Sequence, residues 1–205
     1  MELDELARET HGLDDLSFTR KFPVPALIFL TTPEAPRDED SRVDTPSGGI
    51  KLPGKDGSFS RTSAFKATDA FPAIQDMIRE AGGGKDMPPR ELAHSPVVFL
   101  EKSKRNPFES MITLGRATNN DHCLPLNTIS KFHAYFSKDP SGAWRLTDQR
   151  ATNGTWVDGQ RLQPGDSAPL ADGTRVGFGP DARAKFFTPQ GLYGFLALYR
   201  SGVSA

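Results

Sequence analysis

Residues 144–159 read WRLTDQRATNGTWVDG, and this stretch decides the fold. It holds two short segments, residues 144–147 and 155–157, that are rich in aromatic and β-branched side chains and are followed by turn residues. Asn-Gly and Asp-Gly dipeptides tolerate left-handed backbone conformations and are typical of tight turns between strands. The stretch therefore predicts antiparallel strands joined by short connections.

The same pattern continues on both sides of this stretch. From Pro96 onward, short apolar segments alternate with turn sequences such as Asp139-Pro140-Ser141-Gly142. Spacing of this kind is typical of an all-β sandwich or barrel. A helix is predicted at residues 189–200, where Thr188 can cap the helix and Pro189 occupies its first position. The predicted strands are residues 97–101, 111–114, 134–136, 144–147, 155–157 and 175–178.

The N-terminal part of the chain has a mixed composition and is interpreted as an extension of the β domain. Its predicted elements are a short helix at residues 3–9, a buried strand at 25–30, a proline- and glycine-rich linker at 31–63 and a helix from Asp69 to Gly82. We therefore divide the chain into an N-terminal extension (1–95), the β domain (96–187) and a C-terminal helix and tail (188–205).

Composition argues against several classes of protein. The 205 residues carry a net charge of −1, which gives no global basic field for nucleic acid or for a membrane surface. Cys123 is the single cysteine, so neither an internal disulfide nor a structural zinc set is expected. The longest apolar run, Ala26-Leu27-Ile28-Phe29-Leu30, is far shorter than the ~20 residues of a membrane helix. We expect a cytoplasmic protein without a metal or other cofactor.

Four polar clusters interrupt the strand pattern, each at the end of a predicted strand. Together they supply arginine, lysine, hydroxyl and amide groups on loops of a rigid scaffold. A phosphate dianion accepts hydrogen bonds at every oxygen, and an arginine can contact two oxygens at once. The loops therefore predict a phosphate-binding site. The clusters are Gly115-Arg116, Ser130-Lys131-Phe132-His133, Thr152-Asn153-Gly154-Thr155 and Gly177-Phe178-Gly179.

At these residues the sequence resembles the forkhead-associated (FHA) domain family. The family pattern is a Gly-Arg, a Ser-x-x-His, an Asn-Gly after Ser or Thr, and an Asn-Gly or Asp-Gly turn. Here it reads Gly115-Arg116, Ser130-x-x-His133, Thr152-Asn153-Gly154-Thr155 and Asp158-Gly159, in that order. The resemblance covers about residues 96–187 and implies an FHA-type antiparallel β-sandwich of about eleven strands that binds phosphothreonine peptides without catalysis.

The resemblance also implies a role for each residue of the pattern. Arg116 and Ser130 hold the phosphate, and Lys131 supplies a further phosphate contact. Thr152 contacts the phosphate or the threonine, and Asn153 holds the peptide main chain. Structural support comes from Gly115, His133 and Gly154.

What the resemblance implies about the partner is a phosphothreonine-containing protein, itself a serine/threonine kinase or a substrate of one. The two residues before Ser130 are Thr128 and Ile129, so the arginine that some family members use there against an acidic residue three positions after the phosphothreonine is missing. The resemblance therefore does not extend to a preference for aspartate there. Thr45-Pro46 is a further candidate, as a phosphorylated ligand for a second copy of the chain.

Three other functions were weighed against the binding module. A hydrolase would use Ser130, His133 and Asp148, but an extended segment would project residues three apart to opposite faces, and no Gly-x-Ser-x-Gly elbow is present. The run Gly82-Gly83-Gly84-Lys85 imitates a nucleotide-binding loop, yet Asp86 stands where that loop needs Ser or Thr. The third alternative is a phosphate-independent FHA-like scaffold or oligomerisation protein that uses its N-terminal segment as the interface.

Overall fold

The computed structural model describes residues 1–30 and 92–203. These residues form a two-layered β-sandwich with helices packed on one outer face. The antiparallel β-sandwich expected from the sequence is present. Its strands are β1 Ala26–Phe29, β2 Val97–Phe99, β3 Ile112–Gly115, β4 His122–Cys123, β5 Ala134–Lys138, β6 Trp144–Asp148, β7 Thr155–Val157, β8 Gln160–Arg161, β9 Ser167–Pro169, β10 Arg175–Phe178 and β11 Ala182–Phe187.

The strands form one sheet of six and one of five. The six-stranded sheet has the order β2-β1-β11-β10-β7-β8, and the five-stranded sheet has the order β4-β3-β5-β6-β9. Neighbouring strands are antiparallel, except that β4 pairs with β3 in parallel. Side chains from the inner faces fill the space between the sheets, and Phe136, Phe178 and Phe186 are fully buried there.

All six predicted strands are present, with ends shifted by no more than two residues. Sequence reasoning missed β4, β8, β9 and β11. Strand β11 carried a usable signal, because Ala182, Ala184 and Phe186 are buried on the inner face while Arg183 and Lys185 alternate with them. The two charged residues obscured this alternation. The other three strands are only two or three residues long, too short to show a period.

Strand β1 belongs to the six-stranded sheet, although it lies far from the other strands in sequence. It pairs with β11 on one side and with β2 on the other. Its residues Ala26, Leu27 and Ile28 are fully buried, which agrees with the buried strand predicted at 25–30. The sequence division at residue 95 assigned this strand to the extension, whereas the pairing makes it part of the sandwich.

Three helices are described: α1 Leu3–Glu9, α2 Asp15–Lys21 and α3 Pro189–Val203. The first was predicted with the same bounds, and the third runs three residues beyond its predicted end. Helix α2 was missed because Phe18 is its one buried residue, so no apolar stripe marks it. Thr188 caps α3 as expected, accepting a hydrogen bond from the Gly191 backbone N–H at 3.2 Å.

The helices form a second core on the outer face of the six-stranded sheet. Leu3 and Leu6 of α1, Phe18 of α2 and Phe195 of α3 pack there against strand residues such as Ile28. The other half of that outer face, over β10, β7 and β8, supplies no residue to this helical core. In residues 1–30 and 92–203 no helix is long and apolar enough to cross a bilayer.

Several predictions fall outside the described residues. They are the linker at 31–63, the helix from Asp69 to Gly82, the run Gly82-Gly83-Gly84-Lys85 and the candidate ligand Thr45-Pro46.

Candidate functional site

The polar clusters lie in loops that meet at one end of the sandwich. In the five-stranded sheet, Ala134 at the start of β5 pairs with Leu114 near the end of β3 and with Asp148 at the end of β6. In the six-stranded sheet, Thr155 at the start of β7 pairs with Phe178 at the end of β10. The loops that precede or follow these residues therefore lie at the same end of each sheet. Hydrogen bonds join the loops of the two sheets at this end.

Ser130 and Thr152 form the centre of the site. The backbone N–H of Thr152 donates to Ser130 Oγ at 3.0 Å, and the two hydroxyl oxygens lie 3.4 Å apart. Ser130 is half-buried and Thr152 is exposed. Because the Thr152 amide already donates to the serine oxygen, the serine hydroxyl hydrogen can turn toward a ligand.

Arg116 lies beside this pair. Its backbone N–H donates to the Ser130 carbonyl at 2.9 Å, and its Nε–H donates to the Ile129 carbonyl at 3.2 Å. The side chain is exposed, and no carboxylate of the described residues lies within ion-pair distance of its guanidinium. The Ile129 contact therefore fixes the orientation of the side chain while its terminal N–H groups face solvent.

His133 joins the loops of the two sheets from below. The backbone N–H of Ser130 donates to His133 Nδ1 at 3.1 Å, and His133 Nε2 lies 3.0 Å from the Gly154 carbonyl oxygen. Since Nδ1 accepts an amide hydrogen, the proton of the neutral ring is on Nε2 and is donated to that carbonyl. Burial lowers the pKa of His133, which favours this neutral form.

Asn153 and Gly154 complete the loop between β6 and β7. The Asn153 side-chain amide donates to the Thr128 carbonyl at 2.8 Å, while the residue itself is exposed. Gly154 has a φ of +79°, a conformation that L side chains rarely adopt, and its carbonyl also accepts from the Gly179 backbone N–H at 3.0 Å.

Gly115 allows two loops of the site to pack closely, because it has no side chain. A Cβ on Gly115 would collide with the carbonyl oxygen of Lys131 and lie 2.9 Å from the side-chain nitrogen of Asn120. The same carbonyl accepts hydrogen bonds from the Ala117 backbone N–H at 3.1 Å and from Asn120 Nδ2 at 2.7 Å. A glycine is thus needed for the Arg116 loop to approach the Ser130 loop.

Lys131 is held by its backbone and not by its side chain. Its carbonyl lies inside the loop contacts just described, and its side chain is exposed. In the described part of the chain its ammonium makes no hydrogen bond or ion pair. The structure therefore brings Arg116, Ser130, Thr152 and Asn153 together, while the Lys131 side chain is exposed to solvent.

Sequence reasoning missed the buried carboxylate that supports the Arg116 loop. Asp121 accepts hydrogen bonds from the backbone N–H groups of Thr113 at 2.7 Å and Ser103 at 2.6 Å, and from the Asn106 side chain. Burial by itself would raise the pKa of Asp121, but these donors hold it well below its usual value. Asp121 was missed because the sequence around it, Asn119-Asn120-Asp121-His122, matches no known motif.

The arrangement excludes a Ser-His-Asp relay, although for a different reason than the sequence suggested. The segment 130–133 is bent instead of extended, so Ser130 and His133 do bond, but through the serine backbone N–H. Ser130 Oγ bonds to Thr152, and His133 Nε2 bonds to a carbonyl. Asp148 accepts from Thr155 Oγ1 at 2.7 Å. The hydroxyl thus has no base, and the imidazole has no carboxylate partner.

His122 and Cys123 do not form a metal site with other residues. In residues 1–30 and 92–203 no group of three or more His, Cys, Asp or Glu side chains could hold a metal ion. The Cys123 thiol instead donates to the Arg116 carbonyl at 3.3 Å.

Comparison with known proteins agrees with this geometry. The family model described as the FHA domain matches residues 112–179, which span all four loops of the site. These residues form an FHA domain. Domains of this family are binding modules and are generally non-enzymatic.

The curated relatives match this chain over the FHA segment. The E3 ubiquitin-protein ligase rnf8 of Danio rerio is 31% identical over 75 residues, which are 34% of this chain and 16% of the ligase. The ABC transporter ATP-binding/permease protein Rv1747 of Mycobacterium tuberculosis is 38% identical over 68 residues, which are 33% of this chain and 7% of the transporter. This chain therefore spans less than a fifth of either relative.

The matches among solved structures include two proteins bound to phosphopeptides. The N-terminal FHA domain of Saccharomyces cerevisiae Rad53p, in complex with a phosphothreonine peptide, is 24% identical to this chain with a TM-score of 0.39, and the match covers 45% of this chain and 84% of that one. Mycobacterium tuberculosis EmbR, in complex with a phosphopeptide, is 25% identical with a TM-score of 0.35, over 38% of this chain and 20% of that one.

Proposed function

We propose that the FHA domain of this protein binds phosphothreonine peptides through Arg116, Ser130, Thr152 and Asn153, with Lys131 at the rim. One observation carries the proposal: loops from both sheets bring an exposed guanidinium, two adjacent hydroxyls and a side-chain amide to one surface. Among the described residues, no carboxylate forms an ion pair with the arginine of this set. Such a set of donors matches a phosphate dianion.

Each residue has a distinct task in this proposal. The terminal N–H groups of Arg116 bind two phosphate oxygens, because the Ile129 contact occupies only Nε. The Ser130 hydroxyl donates to a third oxygen, and Thr152 lies against the threonine side of the ligand. Asn153 keeps one amide hydrogen and its carbonyl oxygen for the peptide main chain, since one N–H bonds to Thr128.

The partner in this proposal is a protein phosphorylated on threonine, either a serine/threonine kinase or a substrate of one. Because the recognised group is made by a kinase, binding links kinase activity to assembly. We place this interaction in the cytoplasm, without nucleic acid, membrane or cofactor.

A screen of an oriented phosphothreonine-peptide library against the purified chain tests the proposal. We expect selected peptides to bind only when phosphorylated, and calorimetry on one peptide and its unphosphorylated twin measures the difference. Equal binding of the twins would contradict the proposal and would favour a phosphate-independent scaffold. Nothing in residues 1–30 and 92–203 favours that scaffold, because Leu3 and Leu6 of α1 and Phe18 of α2 are fully buried inside the molecule.

A further inference from the structure

A second cationic feature lies on the outer face of the six-stranded sheet, beside the candidate site. The strand register places four residues in one row across β8, β7, β10 and β11. Arg161 pairs with Trp156, Trp156 pairs with Gly177, and Gly177 pairs with Arg183. We call Arg161, Trp156 and Arg183 the cationic strip.

The indole ring of Trp156 lies between the two arginines of the strip. The guanidinium carbon of Arg161 is 5.6 Å from the ring centroid, and that of Arg183 is 5.4 Å away. Gly177 allows this arrangement, because a Cβ at that position would lie 3.2 Å from an Arg183 nitrogen. Arg183 thus crosses over Gly177 to reach the ring. A stacked guanidinium keeps the N–H groups in its own plane available to a carboxylate.

The strip is continuous with the residues proposed to hold the peptide. The Arg161 guanidinium packs directly against Gly154, where a Cβ would collide with Arg161 Nε. Arg183 donates to the carbonyl of Gly179, and a Cβ on Gly179 would lie 3.6 Å from Asn153 Cβ. Both arginines therefore adjoin the Asn153-Gly154 turn.

No carboxylate neutralises the strip within the part of the chain that the structure describes. Arg161 is exposed and Arg183 is half-buried. In residues 1–30 and 92–203 no carboxylate lies within ion-pair distance of either guanidinium. Two like charges beside one ring, in a chain whose net charge is −1, form a local positive surface that complements an acidic segment.

We propose that the cationic strip binds aspartate or glutamate side chains of the same peptide whose phosphothreonine occupies the Arg116 site. This inference rests on the proposed function and adds a specificity element to it. The strip selects acidic residues that flank the phosphothreonine at the distance set by the Asn153-Gly154 turn. Phosphate binding itself remains the task of Arg116 and Ser130.

Three phosphothreonine peptides test this inference: one with neutral flanks, one with glutamates before the phosphothreonine and one with glutamates after it. We expect one acidic peptide to bind about three- to tenfold more tightly than the neutral peptide, as for a charge-assisted contact at a partly exposed site. We expect Arg161→Gln and Arg183→Gln each to reduce this preference without changing affinity for the neutral peptide. Arg161→Lys should keep part of it, because the charge remains.

Lys138→Gln is the matched control. Lys138 Nζ lies 5.0 Å from the centroid of Trp144, so this variant also removes a cation from an indole face. The pair lies on β5 and β6 at the end remote from His133, and the variant should keep the full acidic preference. Thermal midpoints of all variants show whether each one is folded.

The outcomes separate this inference from the proposed function. Equal affinity for the acidic and neutral phosphopeptides would overturn the inference and leave the phosphothreonine site standing. A preference that survives in both glutamine variants, or that Lys138→Gln also removes, would overturn it as well. Failure of all three phosphopeptides to bind would overturn both proposals.

Discussion

The backbone N–H of Ser130 donates a hydrogen bond to Nδ1 of His133 at 3.1 Å, and this contact sets the orientation of the Ser130 loop. The other ring nitrogen bonds to the Gly154 carbonyl, in the loop that connects β6 of one sheet to β7 of the other. One buried imidazole therefore fixes the separation between the two loops that carry Ser130 and Thr152. It acts as a brace under the site and is not exposed to solvent.

We expect His133→Ala to lower the free energy of unfolding by at least about 2 kcal/mol, because it leaves the Ser130 amide and the Gly154 carbonyl without their partner and opens a cavity. Phosphopeptide affinity should fall indirectly as the loops separate. Denaturant unfolding measures the change in stability, and calorimetric titration with a phosphopeptide measures the change in affinity. A variant as stable as the original chain would show that His133 is not a brace.

The same residue predicts how stability depends on pH. Burial lowers the pKa of His133 below its usual 6.5, so the unfolded chain takes up a proton at a pH where the folded chain does not. The neutral His133 side chain therefore makes its full contribution to the free energy of unfolding above about pH 6.5. That contribution is lost as the pH falls toward the lower pKa that His133 has in the folded chain. Burial also lowers the pKa of His122, which adds a slope of the same sign.

A comparison with His133→Ala isolates the contribution of His133 to that slope. We expect the loss of stability between about pH 7.5 and 5.5 to be smaller in the variant, since the His122 contribution persists in both proteins. Urea unfolding at several pH values gives the two slopes. Identical slopes would contradict a neutral, buried His133.

Gly115→Ala tests the close approach of the Arg116 and Ser130 loops. The new Cβ meets the Lys131 carbonyl, a backbone atom that cannot move cheaply, and we expect a loss of about 1–3 kcal/mol in stability. Gly194→Ala is the matched control. A Cβ on Gly194 in helix α3 meets nothing within 4 Å, so alanine there should be neutral or stabilising by up to about 1 kcal/mol.

Thermal unfolding of the two alanine variants gives the comparison directly. If both variants unfolded at the temperature of the original chain, the loops would have room for a side chain and Gly115 would have no structural role. If both were equally destabilised, the effect would belong to any glycine and not to this contact.

Much of this architecture could be predicted from short patterns within the sequence. The six predicted strands lie between turn dipeptides such as Asn153-Gly154. Alternation of apolar and polar residues along a strand indicates that one of its faces is buried. The contacts between loops could not be predicted in the same way. The bond from Asn153 to the Thr128 carbonyl joins residues 25 apart in sequence, and neither residue type indicates the other. The placement of β1 between β2 and β11 depends likewise on pairing with distant strands.

The positions of individual site residues show the same limit. Thr152 and Ser130 were predicted as separate ligand contacts, and the structure adds that they bond to each other. Lys131 follows Ser130 directly in sequence and lies in a bend, where its side chain is exposed. No sequence period describes the direction of side chains in such a bend.

Arg116→Ala separates binding from stability. The variant should abolish measurable phosphopeptide binding, since charge-assisted bonds to the phosphate, each worth roughly 1.5–3 kcal/mol, exist only in the complex. Its unfolding free energy should change by less than about 1 kcal/mol, because the free chain loses only one part-buried side-chain hydrogen bond, to the Ile129 carbonyl. Calorimetric titration and thermal unfolding measure the two quantities.

Arg8→Ala controls for net charge in that experiment. Arg8 lies on α1, where it pairs with Asp4 at 3.1 Å, and it belongs to no loop of the site. Its removal should leave phosphopeptide affinity unchanged. Equal loss of binding in both variants would mean that the net charge of the chain, and not the guanidinium group of Arg116, attracts the ligand.

Discrimination between phosphothreonine and phosphoserine tests the finest feature of the proposed site. The two ligands have the same phosphate oxygens and differ by one methyl group, so Arg116, Ser130 and Lys131 cannot tell them apart. Any preference must come from burial of that methyl against the loops around Thr128 and Thr152. Transfer of one such group is worth about 0.8 kcal/mol, and a shaped pocket that also fixes the rotamer raises the difference to roughly 1–3 kcal/mol.

That difference corresponds to a ratio of about 5 to 200 in dissociation constant. We expect phosphothreonine peptides to bind at least several-fold more tightly than their phosphoserine twins and unphosphorylated twins to show no measurable binding. Titrations of the three peptides at one salt concentration decide between the possibilities. Equal affinity for both phosphopeptides would indicate a generic anion site, because only the methyl distinguishes them. Equal affinity for all three would mean that the hydroxyl and guanidinium groups at these loops serve the fold and not a phosphate.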